Sequence, residues 1–236
     1  MTLLVLLSCT RGEDSAEPVE QPWEPFIAVS GEGELRAGAG ASVITPDCFE
    51  GFTDLDGDAE FDSDEELLDC GCDRLCPGDE GYVSADEGEG DGAHQAVWMA
   101  GFQNNRPAQG VHDDLWARAV VFEQGDVRVG IVTVDLVGWF HQEVVSTREL
   151  AADRGLELDH ILVVATHNHE GPDTVGMWGR TESKNGFDRA YGDMVVERSV
   201  DALEQAVQGL TTVAEFRVGS VDVRDYSPQG ALNLLR

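Results

Sequence analysis

Beyond residue 114, apolar and polar positions alternate with recognisable periods. Residues 115–122, Leu-Trp-Ala-Arg-Ala-Val-Val-Phe, read as a strand, and Gln124-Gly125-Asp126 as a turn. Residues 127–137 are β-branched and almost continuously apolar, which predicts a second strand buried on both faces. Residues 142–154 carry apolar side chains at helical spacing, Val145, Leu150 and Ala151 among them, and Gly155 supplies a stop. A short apolar strand, His160-Ile161-Leu162-Val163-Val164-Ala165, follows. Strand, helix and strand in that order make a βαβ unit. A second helix is expected over about 188–208, its buried stripe marked by Met194, Val195, Leu203, Ala206 and Val207. A last strand is expected over about 212–218. No internal repeat is present. The fold class is α/β: a mixed sheet with βαβ units and flanking helices, plus an acidic disulfide-bonded insertion.

The N-terminus has a different pattern. Met1-Thr2-Leu3-Leu4-Val5-Leu6-Leu7-Ser8-Cys9 is an apolar run too short to span a bilayer. Leu6-Leu7-Ser8-Cys9 resembles a bacterial lipobox, although the basic region that normally opens an export signal is missing. The expectation is a lipoprotein-type signal over 1–9 with lipidation at Cys9. The chain would then be exported, as a bacterial cell-envelope lipoprotein held to the membrane by a lipid anchor or as a secreted protein. Residues 10–35, rich in Glu, Pro, Gly and Ser, read as a flexible tether. The α/β domain would occupy 36–236.

Charge sharpens this division. The chain has 46 Asp and Glu against 15 Lys and Arg, a net charge of −31, which excludes nucleic acid as a partner because a phosphate backbone would be repelled. Between Asp47 and Asp91 stand 18 acids and one base, Arg74, and this defines an insertion over about 47–93. Of five cysteines, Cys48, Cys70, Cys72 and Cys76 fall inside it. In an oxidising compartment four cysteines suggest two disulfides with three possible pairings, while a zinc site built from the same four is the alternative. The insertion also contains Asp54-Leu55-Asp56-Gly57-Asp58-Ala59-Glu60-Phe61-Asp62-Ser63-Asp64-Glu65. Asp54, Asp56, Asp58, Glu60, Asp62 and Glu65 occupy the ligand register of an EF-hand calcium loop, with Phe61 as an apolar anchor. Ala59 stands where such a loop carries glycine, so the turn must be strained or differently shaped. The expected role of calcium is structural.

The chemistry of the domain centres on Thr166-His167-Asn168-His169-Glu170-Gly171-Pro172, directly after the strand ending at Ala165. Ligands in open α/β sheets bind outside the carboxyl ends of strands, and neutral imidazole is a preferred zinc ligand. Asp135, at the end of the 127–137 strand, is either a carboxylate supporting a metal ligand or a hydrogen-bonded strand-end acid. His112 is at most site-lining. His94, His141 and His160 read as ordinary surface or core residues. Trp98, Trp116, Trp139 and Trp178 fit an apolar lipid site or simple core packing.

Four segments in order resemble the N-terminal part of the neutral/alkaline ceramidase family. They are residues 37–46 (Ala-Gly-Ala-Gly-Ala-Ser-Val-Ile-Thr-Pro), 110–119, 132–138 and the histidine segment, which is similar to the family's Thr-His-Thr-His-Ser-Gly-Pro. The resemblance implies a zinc-dependent amide hydrolase cleaving the N-acyl bond of ceramide or a related lipid amide. It implies zinc ligation by His167 and places His169 beside the metal as a candidate catalytic residue. The family's further ligands, a histidine, a glutamate and a tyrosine, would lie beyond Arg236, so the site is expected to be incomplete. Two departures bear on substrate choice: Glu170 replaces a serine, and Tyr226 stands at an arginine position in Asp225-Tyr226-Ser227-Pro228. The alternative reading is a non-catalytic calcium-binding surface lipoprotein.

Overall fold

A computed structural model describes residues 32–217. The signal segment with Cys9, the tether up to residue 31, Tyr226 and the end of the expected 212–218 strand lie outside the described residues. The domain is a mixed five-stranded sheet with two helices, and the acidic insertion is held by two disulfides. The large strands are β1 (Leu35–Val43), β4 (Trp116–Gln124), β5 (Val127–Val134) and β6 (His160–Ala165). Between β1 and β4 come the two-residue β2 (Gly51–Phe52) and β3 (Leu67–Leu68), which pair with each other inside the insertion. The sheet order is β6-β5-β4-β1-β7, where β7 is Thr211–Thr212, shorter than the expected strand.

β5 and β4 form a hairpin around Gly125, whose φ of +59° suits a tight turn. β5 and β6 pair in parallel, Val129 with His160 through Val134 with Ala165, and α1 (His141–Asp153) makes the crossover. Left-handed Gly155 closes α1 as expected, with φ +72°. The buried positions of α1 are Glu143, Thr147 and Ala151, one face at four-residue spacing. Two of the three are polar, which is why apolar spacing alone pointed to Val145 and Leu150. The Glu143 carboxylate accepts from Arg189 and the Thr147 hydroxyl donates to the Glu143 carbonyl, so neither burial leaves a group unpaired.

α2 (Arg189–Gln208) begins at Asp188, whose side chain accepts from the Ala190 amide. Val195, Leu203 and Ala206 are fully buried as expected, joined by Val200 and Ala202; Met194 and Val207 pack at the edge of the same core. The helix lies on β1, β4 and β5. Its approach to β1 requires glycine. A Cβ at Gly38 would meet the Ala206 carbonyl at 2.0 Å, and one at Gly40 the Ala202 carbonyl at 2.2 Å. The Gly-rich strand is thus the seat of α2.

α1 packs against α2, on the same side of the sheet. This side buries Ala117, Ala119 and Val121 of β4 with Val132 and Val134 of β5. The opposite side carries Val120, Ile131 and Leu162 in one cross-strand row, and among the described residues no helix covers it. Leu162 and Val164 are half exposed there. The expectation that 127–137 is buried on both faces is therefore not met among the described residues. β5 also ends at Val134 rather than at residue 137.

The insertion is stapled by Cys48–Cys72 and Cys70–Cys76. All four thiols are consumed, which removes the alternative of a four-cysteine zinc site. Buried Glu50 accepts from the amides of Gly71 and Gln95, tying the disulfide knot to the segment that returns to the sheet. Phe52, Phe61, His94 and Trp98 form an aromatic series with successive centroid separations of 5.3, 4.9 and 6.3 Å. Burial holds the His94 pKa below its ordinary value, outweighing the hydrogen bond to the Glu50 carbonyl and the charge of Glu50. A base with a depressed folded-state pKa stabilises the fold in its neutral form. Its contribution is complete above the unfolded value of about 6.5 and is lost as pH falls through that value toward the folded one. Wild type should therefore lose thermal stability between pH 7.5 and 5 more steeply than His94→Gln. Parallel pH profiles of the two melting temperatures would refute this.

Candidate metal centre

The parallel pairing of β5 and β6 continues past both strand ends. The Thr166 amide donates to the Val134 carbonyl at 3.0 Å, and the His167 amide to the Leu136 carbonyl at 3.0 Å. The chain then turns at His167, which adopts φ +63°. A left-handed conformation costs a non-glycine residue about 1–2 kcal/mol, and histidine is among the side chains more often found there. The turn swings the ring back so that Nδ1 lies 2.7 Å from the Val137 carbonyl. That carbonyl can only accept, so Nδ1 carries the proton and Nε2 keeps its lone pair.

His169 faces this lone pair. Its Nε2 lies 3.3 Å from His167 Nε2, with ring centroids 4.8 Å apart and planes at 77°. Two nitrogens bound to one tetrahedral zinc at about 2.0–2.1 Å are separated by roughly 3.3 Å, from the tetrahedral angle. The spacing fits two ligands of one zinc ion.

The surroundings hold His169 in place. A Cβ at Gly101 would lie 2.3 Å from His169 Nδ1, so only glycine admits the ring; Gly101 also has φ +84°. Phe102 meets the same ring edge-on at 5.6 Å between centroids, and Trp178 approaches it at 6.4 Å. Arg106, nearly buried, donates to the His169 carbonyl at 3.0 Å and to the Glu170 carboxylate at 3.1 Å. Glu170 is thus turned toward Arg106. Buried Asp173 accepts from the amides of Val175, Gly176 and Trp178, which fixes the loop carrying Trp178.

The other candidates lie elsewhere. Asp135 accepts from Arg118 at 2.6 Å, from the Trp116 amide and from the Thr166 hydroxyl. It braces the strand ends one residue before His167, and the carbonyl that orients that ring belongs to Val137. His112 is exposed and pairs with Asp113. With Asp113, Asp114, Asp135 and Glu170 it borders a cavity of about 430 Å³, walled by Phe49, Val97, Met99 and Leu115. Asn168 and Pro172 line that cavity too, while His167 and His169 are not among its lining residues. Trp98 belongs to the aromatic series, Trp116 lies under Arg118, and Trp139 packs against the core. Of the four tryptophans, only Trp178 forms an aromatic contact with the histidine pair.

The acidic loop is a separate candidate centre. Asp54, Asp56 and Asp58 each offer a carboxylate oxygen, all within 4.8 Å of one another. Glu60, Asp62 and Glu65 do not join that group. Glu65 instead accepts from the amides of Leu55 and Asp62, closing the loop on itself. Ala59 takes the left-handed turn, φ +63°, in place of the expected glycine. Hydrogen bonding, first from the Gly57 amide, lowers the Asp54 pKa, whereas desolvation and then the charges of Asp58, Glu65, Asp64 and Asp56 raise that of Asp62.

No family model and no curated protein matches the chain. Two solved structures are similar to it: neutral ceramidase from Pseudomonas aeruginosa, at 20% identity and a TM-score of 0.47, and a ceramidase complexed with C2, at 20% identity and 0.43. Each likeness covers 76% of this chain, and the chain spans 22% of the length of each of those structures.

Gly101→Ala should push the His169 ring out of line. The expected result is a zinc affinity lowered about tenfold or more, the usual cost of disturbing a group that orients a ligand. Isothermal titration with zinc checks it, and wild-type affinity in the variant would remove Gly101 from the site.

Proposed function

We propose that this chain contributes to a zinc-dependent amide hydrolase of the ceramidase type, acting on the N-acyl bond of ceramide or a related lipid amide. The observation that carries the proposal is the histidine pair. His167 is fixed in the tautomer that leaves Nε2 free, and His169 Nε2 sits at the spacing of a shared tetrahedral ligand. His167 and His169 would hold the zinc. When bound, the metal supplies Lewis acidity toward an amide carbonyl and toward water.

The chain's own groups have definable parts in that chemistry. The Val137 carbonyl keeps the proton on His167 Nδ1 and so keeps Nε2 a donor to the metal. Gly101 and Arg106 hold His169 from the ring side and the backbone side. A catalytic zinc generally takes three protein ligands and one open position. The remaining donors are assigned to segments outside the described residues, in keeping with the resemblance in the histidine segment. Export, with lipidation at Cys9 anchoring the chain to a membrane, completes the proposal; the two disulfides are consistent with an oxidising compartment. Among the described residues no helix is long and apolar enough to cross a membrane.

A second reading is favoured by the gathered oxygens of Asp54, Asp56 and Asp58. In it the protein is a calcium-binding surface lipoprotein without catalytic activity. The two readings share the calcium loop and differ at the histidines.

Metal analysis separates them. With the remaining donors present, the wild-type protein should retain one zinc per chain after dialysis, and His167→Ala should lose it with an unchanged circular dichroism spectrum. Zinc content unchanged by His167→Ala would sink the ligand assignment. Selective calcium chelation should speed proteolytic cleavage within residues 54–65 and leave zinc in place; zinc lost in step with calcium would contradict separate sites.

A further inference from the structure

We infer that Phe102 determines substrate specificity at the histidine pair by contacting the hydrocarbon part of the amide substrate. The inference rests on the zinc-amidase reading above. It begins with a conflict between backbone and burial. Gly101 and Phe102 both have positive φ, +84° and +61°. Glycine adopts this region freely; a bulky aromatic residue does not, and it persists there only where the surroundings impose it. Burial of the ring would offset such strain, yet Phe102 is 72% exposed.

The ring is nevertheless held. It stands edge-on to His169 on one side, and the Arg106 guanidinium lies 5.1 Å from its centre on another. Arg106 is itself anchored to the His169 carbonyl and to Glu170. Met177 is a second exposed apolar side chain, 67% exposed, next to the Trp178 that also approaches His169. Its loop is pinned by the three amides donating to buried Asp173. Isolated exposed apolar residues are ordinary on protein surfaces. Phe102 is different: a strained backbone presents it against His169, and its ring forms an apolar lip at that histidine.

The chemistry of the lip selects its occupant. Arg106, the cation beside Phe102, is already paired with Glu170. What remains is apolar surface beside two imidazoles. A ligand filling both needs a polar carbonyl group for the histidines and an uncharged aliphatic chain for Phe102. An N-acyl amide with a long acyl chain has that form, and a short-chain amide leaves the lip bare.

Phe102→Asn is the informative variant, because asparagine accepts the left-handed backbone while removing the ring. N-octanoylethanolamine and N-acetylethanolamine serve as probes, titrated into metal-free and zinc-loaded protein with tryptophan emission as the readout. Wild type should prefer the octanoyl probe in both forms, and Phe102→Asn should reduce that preference about fivefold or more in each form. Equal binding of the two probes by wild type, or a preference intact in Phe102→Asn, would overturn the assignment. A chain-length preference that depends on Phe102 in a protein that binds no zinc would sustain the hydrocarbon contact and sink the amidase reading. The two failures are therefore distinguishable.

Discussion

The parallel ladder between β5 and β6 governs the geometry of this molecule. Its hydrogen bonds run on past both strands, through Thr166 to the Val134 carbonyl and His167 to the Leu136 carbonyl. They bring the Val137 carbonyl, which has no catalytic chemistry of its own, within reach of the His167 ring. A parallel pair needs a crossover, and α1 supplies it, packed against α2, which in turn needs Gly38 and Gly40 for its seat on β1. The tautomer of one imidazole thus depends on packing that extends across the whole sheet.

Around this frame, two of the five non-glycine residues with positive φ among the described residues stand at the histidine pair. His167 and Phe102 both occupy the left-handed region, and both touch His169. The His167 ring is held by the Val137 carbonyl thirty residues away, and the Phe102 ring by Arg106, four residues along the chain. Strained residues held in place by their surroundings cluster at sites that act on a ligand.

Much of the architecture was legible from hydrophobic period alone. β4, β5, α1, β6 and α2 all fall within a few residues of where apolar spacing put them, because each buries one regular face. The position of His167 and His169 at a strand end was legible for the same reason. The rest depends on contacts that no local pattern encodes. The inner face of α1 is built on Glu143 and Thr147, so a search for apolar residues passes over it. The group orienting His167 is a backbone carbonyl thirty residues away in sequence, whose side chain is irrelevant. Gly101 and Phe102 look like an ordinary turn until the fold carries His169 against them. The cysteines announced disulfides, but choosing among three pairings required the path of the chain. The resemblance at the histidine segment concerned the type of site, and which atoms face one another is a matter of three-dimensional structure.

Both disulfides close within the insertion, and neither crosses to the sheet. Cys48–Cys72 encloses the Asp54–Glu65 loop, and closing a loop of that size restricts the unfolded chain by about 3–4 kcal/mol in the entropic account. The insertion is tied to the segment behind the histidines, because Phe61 and Asn105 exchange hydrogen bonds. The described residues therefore contain two regions with different dependences. One is a hydrogen-bonded α/β unit governed by packing. The other is a covalently latticed acidic unit whose integrity follows the thiol–disulfide balance of its surroundings. A reductant acts first on the second, freeing a dense run of carboxylates to spread apart and loosening the Phe61–Asn105 pairing next to Arg106, which holds His169.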